Sequence, residues 1–147
     1  MFRLFAALSL LASPVLANSP QVMDCEWQSS AANIAEPWEE NTRTFSKGKT
    51  RLALLDTTEP AAGWAYMLVL SPPYDELGLR QCKLIGFNGM GFAGMEFTQL
   101  SSSYDPSRGL MFTVPVATYD FDTHQPVWST LWFQLNQATG VIDAQMR

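Results

Sequence analysis

The chain has one histidine, two cysteines and nine basic residues in 147. Each shortage removes a chemistry. A single imidazole, His124, leaves no second histidine to complete an ordinary zinc site. It is also the one available base for a serine or cysteine nucleophile, and no Gly-x-Ser-x-Gly elbow is present. Two cysteines without a Cys-x-x-Cys spacing do not make a dithiol redox centre. Few basic residues against 14 acidic ones argue against nucleic acid and anionic membrane surfaces as partners. No apolar stretch reaches the roughly 20 residues that a spanning helix needs.

The clearest apolar run lies at the N-terminus. Arg3 precedes Leu4 to Leu16, a run broken only by Ser9, Ser13 and Pro14, and the segment ends Val15-Leu16-Ala17. A basic start, a short apolar centre and a small final residue read as a secretory signal peptide over residues 1–17. Cys25 follows Val22-Met23-Asp24, which is not a lipid-attachment sequence. Cleavage after Ala17 removes Arg3 and leaves a net charge of −6, from 8 basic and 14 acidic residues. The expected location is the periplasm or the extracellular medium. In such an oxidising compartment Cys25 and Cys82 are expected to form one disulfide, tying the N-terminal segment to the middle of the chain.

Residues 18–42 form a polar, acidic segment with Glu26, Glu36, Glu39 and Glu40. A short helix is expected from Ser29 or Ser30 to Ala35, capped by serine and stopped by Pro37. Trp27 and Trp38 are expected to anchor this segment. Residues 43–147 read as a β domain, in which short β-branched and aromatic runs alternate with turn clusters. Strands are expected near Arg43–Ser46, Thr50–Asp56, Trp64–Leu70, Leu79–Phe87, Gly94–Ser101, Leu110–Tyr119, Val127–Leu135 and Val141–Met146. Asp105 to Gly109 and Asn136 to Gly140 read as tight hairpin turns closed by glycine. Alternation puts Leu110, Phe112, Val114 and Val116 on one face, and Val127, Leu131, Phe133 and Leu135 on another. Pro115 inside such a pattern points to an edge or a bulge. About eight sequential strands make an all-β antiparallel meander, with a small barrel preferred to a two-sheet sandwich.

Gly89-Met90-Gly91-Phe92-Ala93-Gly94 spells a dinucleotide-binding pattern, but no helix-length segment follows it. The glycines are expected to serve a bent hairpin instead. Asp120, Asp122 and His124 alternate in a polar stretch that reads as a solvated connector, not a metal site. No catalytic residue, metal or cofactor is assigned. Two groups remain as binding candidates. Trp64, Tyr66, Trp128 and Trp132 have same-face spacing and would line a cavity in a barrel, or fill its interior. Arg43, Lys47, Lys49 and Arg51 surround Gly48 as a basic cluster, suited to an anionic ligand or an acidic partner, or to guarding a strand edge.

The expected function is that of an exported, non-enzymatic binding or interaction module, monomeric or a small homo-oligomer, for a protein or small-molecule partner. The alternatives are a periplasmic protein inhibitor, a small-ligand carrier, and a small carboxylate-based hydrolase or lyase. The leader predicts that the chain expressed with residues 1–17 is recovered from the exported fraction starting at Asn18. Intact-mass measurement checks this, and an exported chain that keeps Arg3 would refute it.

Overall fold

The computed structural model describes residues 18–147; the expected leader lies outside them. Among the described residues, ten strands form two antiparallel sheets of five. The first sheet holds β1 (Pro20–Asp24), β2 (Thr42–Phe45), β3 (Thr50–Asp56), β4 (Ala65–Tyr74) and β5 (Arg80–Phe87), in the order β1-β5-β4-β3-β2. The second holds β6 (Gly94–Met95), β7 (Ser101–Asp105), β8 (Gly109–Asp120), β9 (Gln125–Leu135) and β10 (Ile142–Met146). Its order is β10-β9-β8, with β6 and β7 pairing successive lengths of the free side of β8.

The all-β expectation holds, but the preferred barrel is corrected to two sheets. A barrel would need β5 to pair with the next strand of the meander. That edge is taken by β1, which runs antiparallel to β5 from Pro20↔Phe87 to Asp24↔Lys83. The chain therefore leaves the first sheet after β5. Residues 88–93 carry it across, bridging Ala65↔Phe92 on one sheet before Gly94↔Ala117 begins the other. The glycine-rich pattern serves this crossing. A Cβ on Gly91 would stand 2.6 Å from the carbonyl oxygens of both Ala65 and Gly63. Only glycine lets the two backbones approach so closely.

The segment expected as one strand over 94–101 is split. Between β6 and β7 a 3-10 turn, Phe97–Gln99, swings Phe97 into the core. The expected helix over 29–35 is replaced by 3-10 turns at Trp27–Ser29 and Ala31–Asn33. Ser30 Oγ accepts the Ala32 N–H. The Ala35 N–H then donates to the Leu54 carbonyl, and Ile34 bridges Leu55, so strand-like pairing ends the helical geometry. A single helical turn, Trp38–Asn41, leads into β2. Pro115 sits in β8 opposite the break between β6 and β7. Its carbonyl accepts the Glu96 N–H, and its missing N–H leaves no ladder bond unmade.

The inner faces of the two sheets meet in one core. Leu110, Phe112, Val114 and Val116 of β8 and Leu131, Phe133 and Leu135 of β9 point inward, as the alternation predicts. Val127, at the outer end of β9, is exposed. The Phe112 ring stacks on Phe133 with centroids 4.8 Å apart and meets Phe45 edge-on at 4.9 Å. A second cluster lies on the other side of the first sheet. Ala53, Leu55, Tyr66, Leu68 and Leu84 are buried there beneath Met23, Cys25, Ile34 and Cys82. Strands β3 and β4 are thus buried on both faces, which accounts for their continuous apolar runs.

The Cys25–Cys82 disulfide is present and holds this cover down. Trp27 and Trp38, expected as anchors, are more than half exposed; Ile34 and the disulfide take that role. The bridge spans 57 residues of sequence, and loop-closure arithmetic assigns it about 4 kcal/mol. A Cys25→Ala/Cys82→Ala variant is expected to lose stability of that order in urea unfolding. An unchanged midpoint would show that the cover is held by packing alone.

Candidate functional site

The N-terminal cover stops short of the far corner of the first sheet, and a groove remains there. Strand register builds its floor. Thr42, Ala53 and Leu68 face outward in one row across β2, β3 and β4, and Thr44, Arg51 and Leu70 form the next. Ile34 and Trp38, from the segment before β2, complete the lining of a concavity of about 560 Å³. Thr42 Oγ1 donates to the Trp38 carbonyl at 2.8 Å and so ties the tryptophan's backbone to the strand. The volume lies within the usual range of small-molecule sites, roughly 300–1,000 Å³.

The groove is chemically two-sided. Ala53 and Leu68 are nearly fully buried, and Leu70 partly. The Trp38 side chain stands beside them, 53% exposed. Arg51 lies at the polar end, next to Thr44. Among the described residues the one ion pair joins Lys83 to Asp24, so the Arg51 guanidinium has no carboxylate partner. The lining contains no histidine, cysteine or carboxylate.

The four expected basic residues do not act as a unit. Arg43 points to the opposite side of β2, where its Nη1 donates to the Leu100 carbonyl at 2.8 Å and its guanidinium lies 5.8 Å from the Phe97 ring centroid. It closes one edge of the sandwich, although the residue also borders the groove. Lys47 and Lys49 stand exposed at the tip of the β2–β3 hairpin, beside Tyr74 and Gln137. Ser46, Lys47 and Gly48 there adopt positive φ. Strand alternation and the hairpin turn send neighbouring cations in different directions.

The four expected aromatic residues also separate. Trp64 sits at the crossing between sheets, where its Nε1 donates to the Ala93 carbonyl at 2.8 Å. Tyr66 is buried beneath the N-terminal cover. Trp128 and Trp132 lie on the outer face of the second sheet, since Leu131 and Phe133 between and beyond them face the core. They do not line one chamber. The space between the sheets is filled by side chains such as Met67, Phe112, Leu131 and Phe133. Trp38 was missed as a groove residue because its neighbours, Pro37, Glu39 and Glu40, carry no strand pattern. The signal for the groove was the outward Thr42 and Thr44 before Arg51, which has meaning only once β2, β3 and β4 are aligned.

Several acidic side chains are engaged by their own turns. Asp105 accepts hydrogen bonds from the Ser107 hydroxyl and backbone N–H, which hold its carboxyl below the ordinary value. Asp120 is lowered in the same way by the N–H groups of Asp122 and Thr123. His124 occupies the tip of that β8–β9 hairpin at φ 56°. Among the described residues no three histidine, cysteine, aspartate or glutamate side chains are grouped to hold a metal. No protein-family model, curated protein or solved structure matches the chain.

Burial raises the Tyr66 phenol above its ordinary value of 10.0, against smaller opposing contributions from the Gln28 side chain and the Gly91 backbone. The folded protein therefore keeps this proton to higher pH than the unfolded chain. Stability tied to it is complete below pH ~10 and declines as pH rises beyond it. Tyr66→Phe is expected to flatten the fall in urea midpoint between pH ~9 and ~11. An identical alkaline slope in both proteins would show that Tyr66 does not titrate with folding.

Proposed function

We propose that the protein is an extracytoplasmic binding module, periplasmic or secreted, that holds an amphipathic anion in the groove of the first sheet. The observation that carries this reading is the lone Arg51 guanidinium set at one end of an apolar floor. A ligand with a carboxylate head and a hydrocarbon body matches both ends. Arg51 receives the head through charge-assisted hydrogen bonds, in which a guanidinium engages both carboxylate oxygens. Thr44 offers a hydroxyl beside it. The body covers Leu68 and Leu70 and lies against Ile34 and the Trp38 ring.

The lining supports retention of the ligand, not its conversion, because no histidine, cysteine or carboxylate lines it to activate the Thr42 or Thr44 hydroxyl. The disulfide supports an oxidising compartment, together with the leader expected over residues 1–17. No helix among the described residues is long and apolar enough to cross a membrane.

Decanoate and decanol, matched in length, separate the two halves of the site in isothermal titration calorimetry. Wild-type protein is expected to bind decanoate more tightly. Arg51→Gln is expected to weaken decanoate about tenfold, or ~1.4 kcal/mol, with little effect on decanol. Trp38→Ala is expected to weaken both. Failure of decanoate to bind, or its indifference to Arg51→Gln, rejects the reading.

A further inference from the structure

We infer that the outward face of the second sheet is a separate binding site for a neutral oligosaccharide. The site is built by register. Trp132 on β9 pairs with Thr113 on β8, which pairs with Ser101 on β7, while Gln145 on β10 flanks Trp132 from the other side. These four positions form one outward row of an indole among uncharged hydrogen-bonding groups. Beside Trp132 lies a hollow of about 250 Å³, walled by Ser101, Ser103, Thr113 and Met111. No charged side chain lines it.

Trp128 supplies a second indole. Its six-membered ring lies over Gly94, where a Cβ would stand 3.2 Å from Cη2 and 3.4 Å from Cζ2. The absence of that Cβ seats the ring against the sheet, yet the residue remains 50% exposed. Trp128 and Trp132 share a face of one strand, roughly 13 Å apart along it at the usual rise per residue. Thr130 lies between them, and Pro115 opposite it.

This combination favours a pyranose chain over an ionic or purely apolar ligand. One face of a sugar ring presents C–H groups, which stack on the negative face of an indole. Its hydroxyls require donors and acceptors at the rim, which the Ser103 hydroxyl and the Gln145 amide oxygen provide, beside the mutually bonded Ser101 and Thr113 hydroxyls and the Gln145 amide N–H that donates to Asp143. No charged side chain lines the hollow to receive an ionic ligand. The Ser101 and Thr113 hydroxyls bond each other, but a hydrocarbon seated against Met111 and Trp132 would still bury the Ser103 hydroxyl without a partner, which costs free energy. The Arg147 guanidinium lies 4.6 Å from the Trp132 ring centroid and covers one side of that ring. This site is independent of the Arg51 groove, which lies on the other sheet.

Native affinity electrophoresis in gels containing hydroxyethyl cellulose, xylan, dextran or carboxymethyl cellulose tests the inference, with a polymer-free gel as mobility reference. Retardation is expected in at least one neutral polymer. Trp132→Ala is expected to weaken it at least tenfold. Ser103→Lys fills the hollow from an exposed position and is expected to do the same, with near-ultraviolet circular dichroism unchanged. Arg51→Gln is expected to retain full retardation. No retardation in any neutral polymer overturns the inference, as does retardation by carboxymethyl cellulose alone. Equal retardation of the Ser103→Lys protein overturns it as well.

Discussion

Strands β3 and β4 are apolar on both sides, and the molecule is arranged around the need to cover them twice. The second sheet covers the inner side through Phe112, Val114, Leu131 and Phe133. The outer side is left to a segment too short and too polar to hold itself there. Of residues 25–35, Ile34 and Cys25 are its chief apolar contacts. Burial of one large side chain contributes about 1.5–3 kcal/mol, little against the cost of ordering a loop of this length. The Cys25–Cys82 bridge and the pairing of β1 with β5 supply the remaining constraint.

The same arrangement creates the groove. The cover bridges Leu55 with Ile34 and then rises away through Pro37 and Trp38 before returning as β2. What it leaves open is the corner where the outward rows of β2, β3 and β4 meet. Arg51 occurs there because the outer row changes from apolar to polar as it approaches the hairpin tip. The outer face of the second sheet has no such cover. Tryptophan, threonine, serine and glutamine, which tolerate water at one edge and packing at the other, make up much of it, with Met111, Asp143 and Arg147 among them. Two outer faces of one sandwich therefore carry different chemistries: a groove with one guanidinium at the end of an apolar floor, and a hollow lined by hydroxyls, Met111 and an indole.

Legibility in the sequence followed the range of the interaction involved. The alternation of Leu110 to Val116 and Leu131 to Leu135 was readable, because a strand with one buried face repeats every two residues. Turn positions at Gly109 and Gly140 were readable because positive φ selects glycine locally. Strand β1 was not readable: Gln21 and Asp24 break its pattern, and only the free edge of β5 makes it a strand. The preference for a barrel rested on connections that looked like successive hairpins, and β1 on the edge of β5 overrides it. Phe97 looked like part of a strand, and tertiary packing turned it into the core through a 3-10 turn.

By itself, the sequence determined the all-β class, the location of most strands, and a pair of cysteines suited to an oxidising compartment. These rest on local pattern and side-chain chemistry, which act over a few residues. Tertiary structure alone decided that there are two sheets instead of one barrel, that Arg43 and Arg51 face opposite ways, and that Trp64 and Tyr66 part from Trp128 and Trp132. Those outcomes depend on which strand takes which edge, and so on contacts between residues up to sixty or more positions apart, such as Pro20 with Phe87. A list of aromatic and basic residues became two faces only when strand register placed Ala53 beside Leu68 and Trp132 beside Thr113.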